Sequence, residues 1–203
     1  MLAHSIYHRQ VSRRRLFRDL LISMTPHGWP DNVNYITRNI YSKGLSADDL
    51  ATLGVKKGQQ TIAQKPCPLV KIKKVVDPNH PAYGQNGLFA AAKLKPNSHI
   101  VDYLGYVHTQ QESDESSDYD ILLDRFRGIG IDAQKFGTEA RMVNDYRGIG
   151  DKPNVMFENR TMPDGEVRMA IFVGNKPISK GQELLINYGK GFWNARTQAD
   201  GHT

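Results

Sequence analysis

Ile178-Ser179-Lys180-Gly181-Gln182-Glu183-Leu184-Leu185-Ile186-Asn187-Tyr188-Gly189, running on into Lys190-Gly191-Phe192-Trp193, is the stretch on which the reading of this chain turns. Taken alone it is a short strand, Glu183–Ile186, ended by a tyrosine, and a tyrosine in that place ordinarily packs in a core. Two earlier stretches give it weight. Gly84-Gln85-Asn86-Gly87-Leu88-Phe89-Ala90 sets glycines before a strand, and glycine lets backbone approach a ligand closely. In the middle come Ile131-Asp132-Ala133, Gly137, Ala140-Arg141-Met142-Val143-Asn144-Asp145 and Pro153-Asn154. None of these pieces is specific by itself; their order and spacing along one chain is.

Around the motifs the pattern is one of short strands. Leu69–Val76 alternates β-branched residues with lysines. Leu88–Ala92, Ile100–Val107, Ile121–Leu123, Gly128–Ile131, Val155–Glu158 and Val167–Val173 continue the series, separated by Gly, Pro and Asn turns. Such a series predicts a mostly β domain with α additions.

The N-terminal part differs. Residues 5–24 carry Ile6, Val11, Leu16, Leu20 and Leu21 at helical spacings, with Arg13, Arg14, Arg15 and Arg18 crowded among them, and read as a basic amphipathic helix. A second short helix is expected from Ser46, a ready N-cap followed by Asp48 and Asp49, with Gly54 and Gly58 ending it. The expected organisation is a helical flanking segment over 1–68, the β-rich domain over 69–195 and a tail over 196–203. Residues 110–120, QQESDESSDYD, hold five carboxylates and read as a solvated loop or as an electrostatic guide for a basic peptide.

Composition bounds the function classes. A chain of 203 residues, 39% hydrophobic and 24% charged, suits one globular domain. It has no run of about 18 apolar residues, so no segment is expected to span a membrane. The N-terminus lacks a continuous apolar core and is not expected to be a secretory signal. Cys67 is the single cysteine, which leaves no internal disulfide and no cysteine-cluster zinc site, and suggests an intracellular, reducing setting. The net charge of +6 permits contact with nucleic acid or acidic protein surfaces without requiring either.

The ordered motifs resemble the SET domain of protein-lysine methyltransferases over roughly residues 70–195. Those domains open with a Gly-x-Gly-like turn before a Leu-Phe-Ala-type strand. A strand ending in Tyr-x-Gly follows, matched by Tyr103-Leu104-Gly105. Then come Asp-Ala, a Gly-Asn-x-Ala-Arg-Phe-x-Asn-His run, Pro-Asn, and an Ile-x-x-Gly-Glu-Glu-Leu-x-x-x-Tyr-Gly segment. This chain departs from the pattern in several places. Two residues separate the opening glycines, the usual Asn-His is Asn144-Asp145, and Gly137-Thr138 stands for Gly-Asn. The Ser-Cys before Pro-Asn is replaced by the Gly-rich stretch 147–152, and the flanking zinc-binding cysteines of many relatives are absent.

The resemblance implies a fold of short twisted β-sheets, with a pseudoknot in which a later segment threads the chain around Asn144. It implies S-adenosyl-L-methionine as cofactor, no metal, and methyl transfer to a lysine of a protein. Such transfer is an in-line displacement that needs donor and amine end to end with water excluded. Lysine is normally protonated, with a pKa of about 10.4, and an apolar channel favours its neutral form.

Carried over residue by residue, Tyr188 is the catalytic tyrosine, which also borders the cofactor, and Tyr103 lines the lysine channel. Gln85, Asn86 and Gly87 receive the methionine end of the cofactor through backbone groups. Asn144 and Asp145 receive its adenine and amino-acid portions, Tyr119 contacts it, and Phe192 and Trp193 pack on the adenine. Arg141 is expected to be structural. The residue two before the catalytic tyrosine tunes product multiplicity in relatives. Here it is Ile186, which carries no hydroxyl to anchor a blocking water, so di- or trimethylation is expected. The implied substrate is a basic protein or peptide, a histone tail first, and the implied compartment the nucleus. The competing reading is a catalytically silent SET module that binds a peptide or nucleic acid, for which Asp145 and the altered opening turn argue.

Overall fold

In the computed structural model, residues 25–56, 58–189 and 192–193 are described. The expected helix over 5–24 and the tail over 196–203 lie outside the described residues. In chain order the elements are β1 (Asn34–Tyr35), β2 (Ile40–Tyr41), α1 (Ala47–Thr52), β3 (Val70–Lys74), β4 (Asn86–Ala90), β5 (His99–Tyr103), β6 (Tyr106–Thr109), β7 (Asp120–Asp124), β8 (Ile129–Asp132), β9 (Phe136–Gly137), β10 (Asn144–Asp145), β11 (Val155–Thr161), β12 (Val167–Val173) and β13 (Leu185–Ile186). Single 3-10 turns lie at Gln110–Glu112 and Glu139–Met142.

The strands form small sheets in the orders β11-β12-β5, β2-β6-β8-β7, β3-β4, β1-β9 and β10-β13. β12 is central in its sheet, and its VRMAIFV run is apolar enough to be buried on both faces. β3 shows the other pattern: Val70 and Ile72 point into the core while Lys71, Lys73 and Lys74 face water. The core gathers Leu88, Val107, Ile129, Ile131, Ile171, Ile178 and Leu184 from several sheets. Each such fully buried aliphatic side chain is worth about 1.5–3 kcal/mol relative to exposure.

Two expectations are corrected. The single strand expected over Ile100–Val107 is two strands, β5 and β6, in different sheets. Leu104-Gly105 makes the crossing, and a Cβ on Gly105 would lie 2.4 Å from the Asp132 carbonyl oxygen, so the chain passes there only as glycine. The second correction concerns the segment expected to be a helical flank. Among the described residues of 25–68 only α1 is helical, capped by Ser46 in a capping box with Asp49 and ended at Leu53. β1 and β2 instead pair in parallel with β9 and β6. Residues 34–35 and 40–41 are thus paired with strands of the β-rich region.

A buried ionic cluster ties that segment down. Arg168 and Glu166 are both fully buried and paired. Glu166 also accepts from Tyr41 Oη at 2.7 Å and Asn39 Nδ2 at 3.2 Å, and Arg168 donates to the Ile62 carbonyl and, at 3.2 Å, to Asp102. Removing one partner of such a pair strands a buried charge, at a cost of about 3–5 kcal/mol. The strands involved are two residues long, too short for a periodic signal, which is why the sequence reads as a flank.

The segment before Tyr188 and the chain around Asn144 grip each other. β10 pairs in parallel with β13, and Tyr146 N–H donates to the Ile186 carbonyl at 2.9 Å. From the other side, Asn154 Nδ2 donates to the Glu183 carbonyl and Leu185 N–H to Asn154 Oδ1, both at 2.8 Å. Residues 183–186 are thus bonded to both ends of the 144–154 stretch, the contact pattern expected where a later segment threads an earlier loop.

Candidate active site

The three motifs meet at one point. Asn144 Nδ2 donates to Glu183 Oε1 at 2.8 Å and lies 3.4 Å from the Asn86 carbonyl oxygen. A Cβ on Gly87 would come within 2.7 Å of Glu183 Oε1 and 3.2 Å of Asn144 Nδ2, so glycine is what lets β4 sit under this pair. His80 completes the junction. Ala82 N–H donates to its Nδ1 at 3.0 Å, which leaves Nε2 as the donor to Glu183 Oε2, also at 3.0 Å.

Two cavities open beside the junction. The first, of about 690 Å³, is lined by Gln85, Asn86, Asn144, Asp145, Arg147 and Trp193 among others. The second, of about 620 Å³, has walls of Tyr103, Ile121, Val143, Phe157 and Met169, with Glu115, Asp118 and Asp120 also lining it. Both volumes lie in the range of small-molecule sites, about 300–1,000 Å³. Asp118, Tyr119, Arg141, Tyr188 and Phe192 line both cavities and so form the partition between them.

The partition is tightly held. Tyr188 Oη donates to the Val143 carbonyl at 2.7 Å, and Tyr188 N–H to Asp145 Oδ2 at 2.7 Å, so both ends of the residue are fastened to one short stretch. Its ring meets that of Phe192 edge-on at 4.6 Å between centroids, and Phe192 meets Trp193 at 5.4 Å. Tyr103 Oη donates to the Tyr119 carbonyl at 2.6 Å, and its ring packs edge-on against Phe157 at 5.4 Å. Burial pushes the Tyr103 phenol well above its ordinary pKa, so it is a neutral donor. The Arg141 guanidinium lies 3.9 Å from the centre of the Tyr119 ring, and its Nε donates to the Ala133 carbonyl at 2.8 Å. Arg141, expected to be structural, is both that and part of the partition.

The other expected site residues divide. Tyr188, Tyr103, Tyr119, Asn86, Asn144, Phe192 and Trp193 are brought together on the cavity walls. Gln85 is also there, but its backbone N–H and carbonyl are bonded to Ala82 and Val75, so only its side chain is left to face a ligand. Gly87 lies under the Asn144–Glu183 pair and lines neither cavity. Asp145 lines the first cavity, yet its carboxylate is engaged by Tyr188, Arg147 and Trp193. Ile186 is 2% exposed, belongs to the core and lines neither cavity.

Gln134 was not singled out from the sequence. It lines the first cavity, and its Oε1 is, among the described residues, a buried acceptor with no hydrogen-bond partner. An orphaned buried acceptor costs about 1–3 kcal/mol unless a donor reaches it. A ligand carrying an N–H group would supply one. Nothing in the sequence marks Gln134, because its significance is the partner it lacks.

Comparison with known proteins agrees with this geometry. The family model of the SET domain matches residues 85–189, more than half of the chain. The chain belongs to the SET domain family. A curated relative, histone-lysine N-methyltransferase EZH2 of Chaetomium thermophilum, is 29% identical over 121 residues, which is 53% of this chain and 8% of that protein. The crystal structure of the Chaetomium thermophilum polycomb repressive complex 2 is similar over 63% of this chain and 16% of its own, with a TM-score of 0.50 and 26% identity. The same complex in an autoinhibited conformation bound to S-adenosylmethionine shares the fold at TM-score 0.50 and 24% identity, over 66% of this chain and 17% of its own. The chain therefore spans a small fraction of the length of each of these relatives.

Proposed function

We propose that the chain is an S-adenosylmethionine-dependent protein-lysine methyltransferase acting on a basic protein, with a histone tail as first candidate. The observation that carries the reading is the pair of cavities separated by Tyr188 and its neighbours. Methyl transfer needs a donor site and an amine site that meet end to end, and a shared wall with a fastened tyrosine suits that need. The first cavity fits the cofactor, since both its adenine and its amino-acid end carry N–H donors for the orphaned Gln134 Oε1. Asn86, Asn144, Gln134 and the Phe192-Trp193 pair would hold it. The cofactor supplies an electrophilic methyl group on a sulfonium.

The chain's own residues do the rest. Val143, Phe157 and Met169 give the second cavity an apolar side, against which a protonated lysine is disfavoured by desolvation. On the partition the Arg141 cation disfavours a protonated amine as a like charge, with the Asp118 carboxylate of the same wall acting in the opposite sense. The Tyr188 and Tyr103 hydroxyl oxygens, each already donating to a carbonyl, keep lone pairs with which to accept from the amine and orient it. Glu115 and Asp118 at the second cavity complement a basic substrate. A histone substrate would put the protein in the nucleus.

The test is incubation with labelled cofactor and a panel of histones and cell extract, followed by mapping of the labelled residue. Label on a lysine supports the reading. Failure of the protein to bind S-adenosylmethionine in the micromolar range of titration supports the silent-module reading instead.

A further inference from the structure

Asp145 stands where the family carries histidine, and its surroundings give that exchange a purpose. Its carboxylate collects the Tyr188 N–H at 2.7 Å, the Arg147 N–H at 2.9 Å, Arg147 Nη1 at 2.8 and 3.0 Å, and Trp193 Nε1 at 3.4 Å. Arg147 continues the chain of contacts. Its Nη2 donates to Asn187 Oδ1 at 3.2 Å, and its guanidinium lies 5.6 Å from the Trp193 ring. Among the described residues, these five contacts bring four donor groups, from Tyr188, Arg147 and Trp193, to the carboxylate at position 145. A neutral histidine has one acceptor nitrogen and a protonated one has none, whereas a carboxylate has two oxygens and about four lone-pair sites. The Asp145 side chain is 6% exposed, and Arg147 supplies the countercharge that makes a buried carboxylate tolerable.

We propose that Asp145 and Arg147 are a positioning pair that sets the backbone of Tyr188 and latches Trp193 beside the first cavity. Through the pair, the residue on the methyl-transfer partition and Trp193 are fixed by one carboxylate. Arg147, the first residue of the stretch that replaces Ser-Cys, lies two positions after Asp145 and within reach of its carboxylate. The pair acts on Tyr188 and Trp193 and has no chemical step of its own. The proposal rests on the methyltransferase reading for its kinetic consequences, and on the contacts alone for its structural ones.

The experiment uses the full chain with Asp145→Asn, Arg147→Ala, their combination, and Asp145→His. In ¹⁵N spectra, the Tyr188 amide and the Trp193 indole N–H, assigned with Trp193→Phe, should both move in each variant, whether or not the protein is active. Turnover should fall at least tenfold in each single variant and no further in the combined one, because both remove the same device. The dissociation constant for S-adenosylmethionine should rise at least threefold. Asp145→His should not restore turnover, although it restores the family's residue. Losses that multiply in the combined variant, or a lower melting temperature with unchanged turnover, would overturn the pair as a positioning device. Unmoved Tyr188 and Trp193 resonances would overturn it outright. A wild-type protein that neither binds the cofactor nor transfers methyl groups overturns the functional reading, while the two resonances still decide the latch.

Discussion

The side-chain amide of Asn144 reaches across 39 positions of sequence to donate to Glu183 Oε1 at 2.8 Å. This bond joins the middle motif to the last one, and His80 holds the other oxygen of the same carboxylate. Asn144→Ala removes the donor and leaves a half-buried carboxylate oxygen short of a partner, a loss of about 1–3 kcal/mol. The expected outcome is a lower denaturation midpoint together with weaker cofactor binding, since Asn144 also lines the first cavity. Denaturant titration and calorimetry check the two effects separately. An unchanged midpoint would mean that the junction contributes nothing to the fold.

Gln134 predicts the opposite combination. Its Oε1 is buried with no partner among the described residues, so in the free protein it is a liability. Gln134→Met keeps the volume and removes the orphan. The free protein should be as stable as wild type or slightly more so, while affinity for S-adenosylmethionine falls about tenfold, the equivalent of roughly 1.4 kcal/mol for one lost hydrogen bond. Wild-type affinity in this variant would show that the acceptor does not face the ligand.

How much of this was legible in the sequence depends on range. The alternation in β3 and the apolar run of β12 are local signals, and both elements were found where the pattern put them. The Ser46 cap is equally local and marks the start of α1. The three motifs, taken in order, point to Asn86, Asn144 and Tyr188, which line one cavity. What the sequence did not reveal depends on partners far along the chain. β1 and β2 are made strands by β9 and β6, 102 and 66 positions away. The break at Leu104-Gly105 follows from a carbonyl on another strand. Position 186, read two places before a tyrosine, is turned into the core because β13 pairs with β10.

The ionic cluster behind β5 and β12 predicts how stability responds to acid. Burial alone would raise the Asp102 pKa, but the His99 hydrogen bond at 2.8 Å and the charges of Arg160 and Arg168 outweigh it and hold the carboxyl below the ordinary range. A group with a depressed folded pKa stabilises above its unfolded value, about 3.9 for aspartate, and that stability is lost as pH falls through the folded pKa. Glu139 has the reverse sign. Burial raises its pKa against the hydrogen bonds from Cys67 N–H and Tyr35, so its contribution is lost as pH rises from the ordinary glutamate range through the folded value. Melting temperature followed against pH should therefore flatten on its most acidic limb in Asp102→Asn, and at slightly higher pH should fall less in Glu139→Gln. An acid limb unaltered by Asp102→Asn would remove Asp102 from the account.

Tyr188→Phe deletes the hydroxyl that donates to the Val143 carbonyl while leaving the ring against Phe192 and the amide on Asp145. Turnover should fall at least tenfold, on the scale of about 2–4 kcal/mol seen when one positioned hydrogen-bonding group is lost from an active site. Cofactor affinity should change little, because the lost atom is a lysine-orienting group. Single-turnover rates and calorimetry on the same preparation separate the two quantities. Near-normal turnover would take the hydroxyl out of the mechanism.

Product multiplicity is argued from the second cavity, with Ile186 set aside because it lies in the core. The apolar side chains that line the second cavity are Ile121, Leu122, Val143, Phe157, Met169 and Phe192. Three phenols also line this cavity, and two of them, Tyr103 and Tyr188, each give their proton to a backbone carbonyl. A phenol has one proton to give, so neither of these two can donate to a water placed where a second methyl group would go, which leaves Tyr119 as the phenol in a position to do so. Each added methyl makes the amine more apolar, and an apolar wall accepts it with little desolvation cost. The expected products are di- and trimethyl-lysine. Phe157 packs edge-on to Tyr103 at 5.4 Å, so Phe157→Tyr would bring a fresh hydroxyl into this wall. That variant should stop at the monomethyl form while keeping its first-methyl rate within a few-fold of wild type. Mass spectrometry of a product peptide at long times with excess cofactor decides it. Wild-type protein that accumulates only monomethyl-lysine would mean that water is held in the cavity by Tyr119 or by another polar group of its wall.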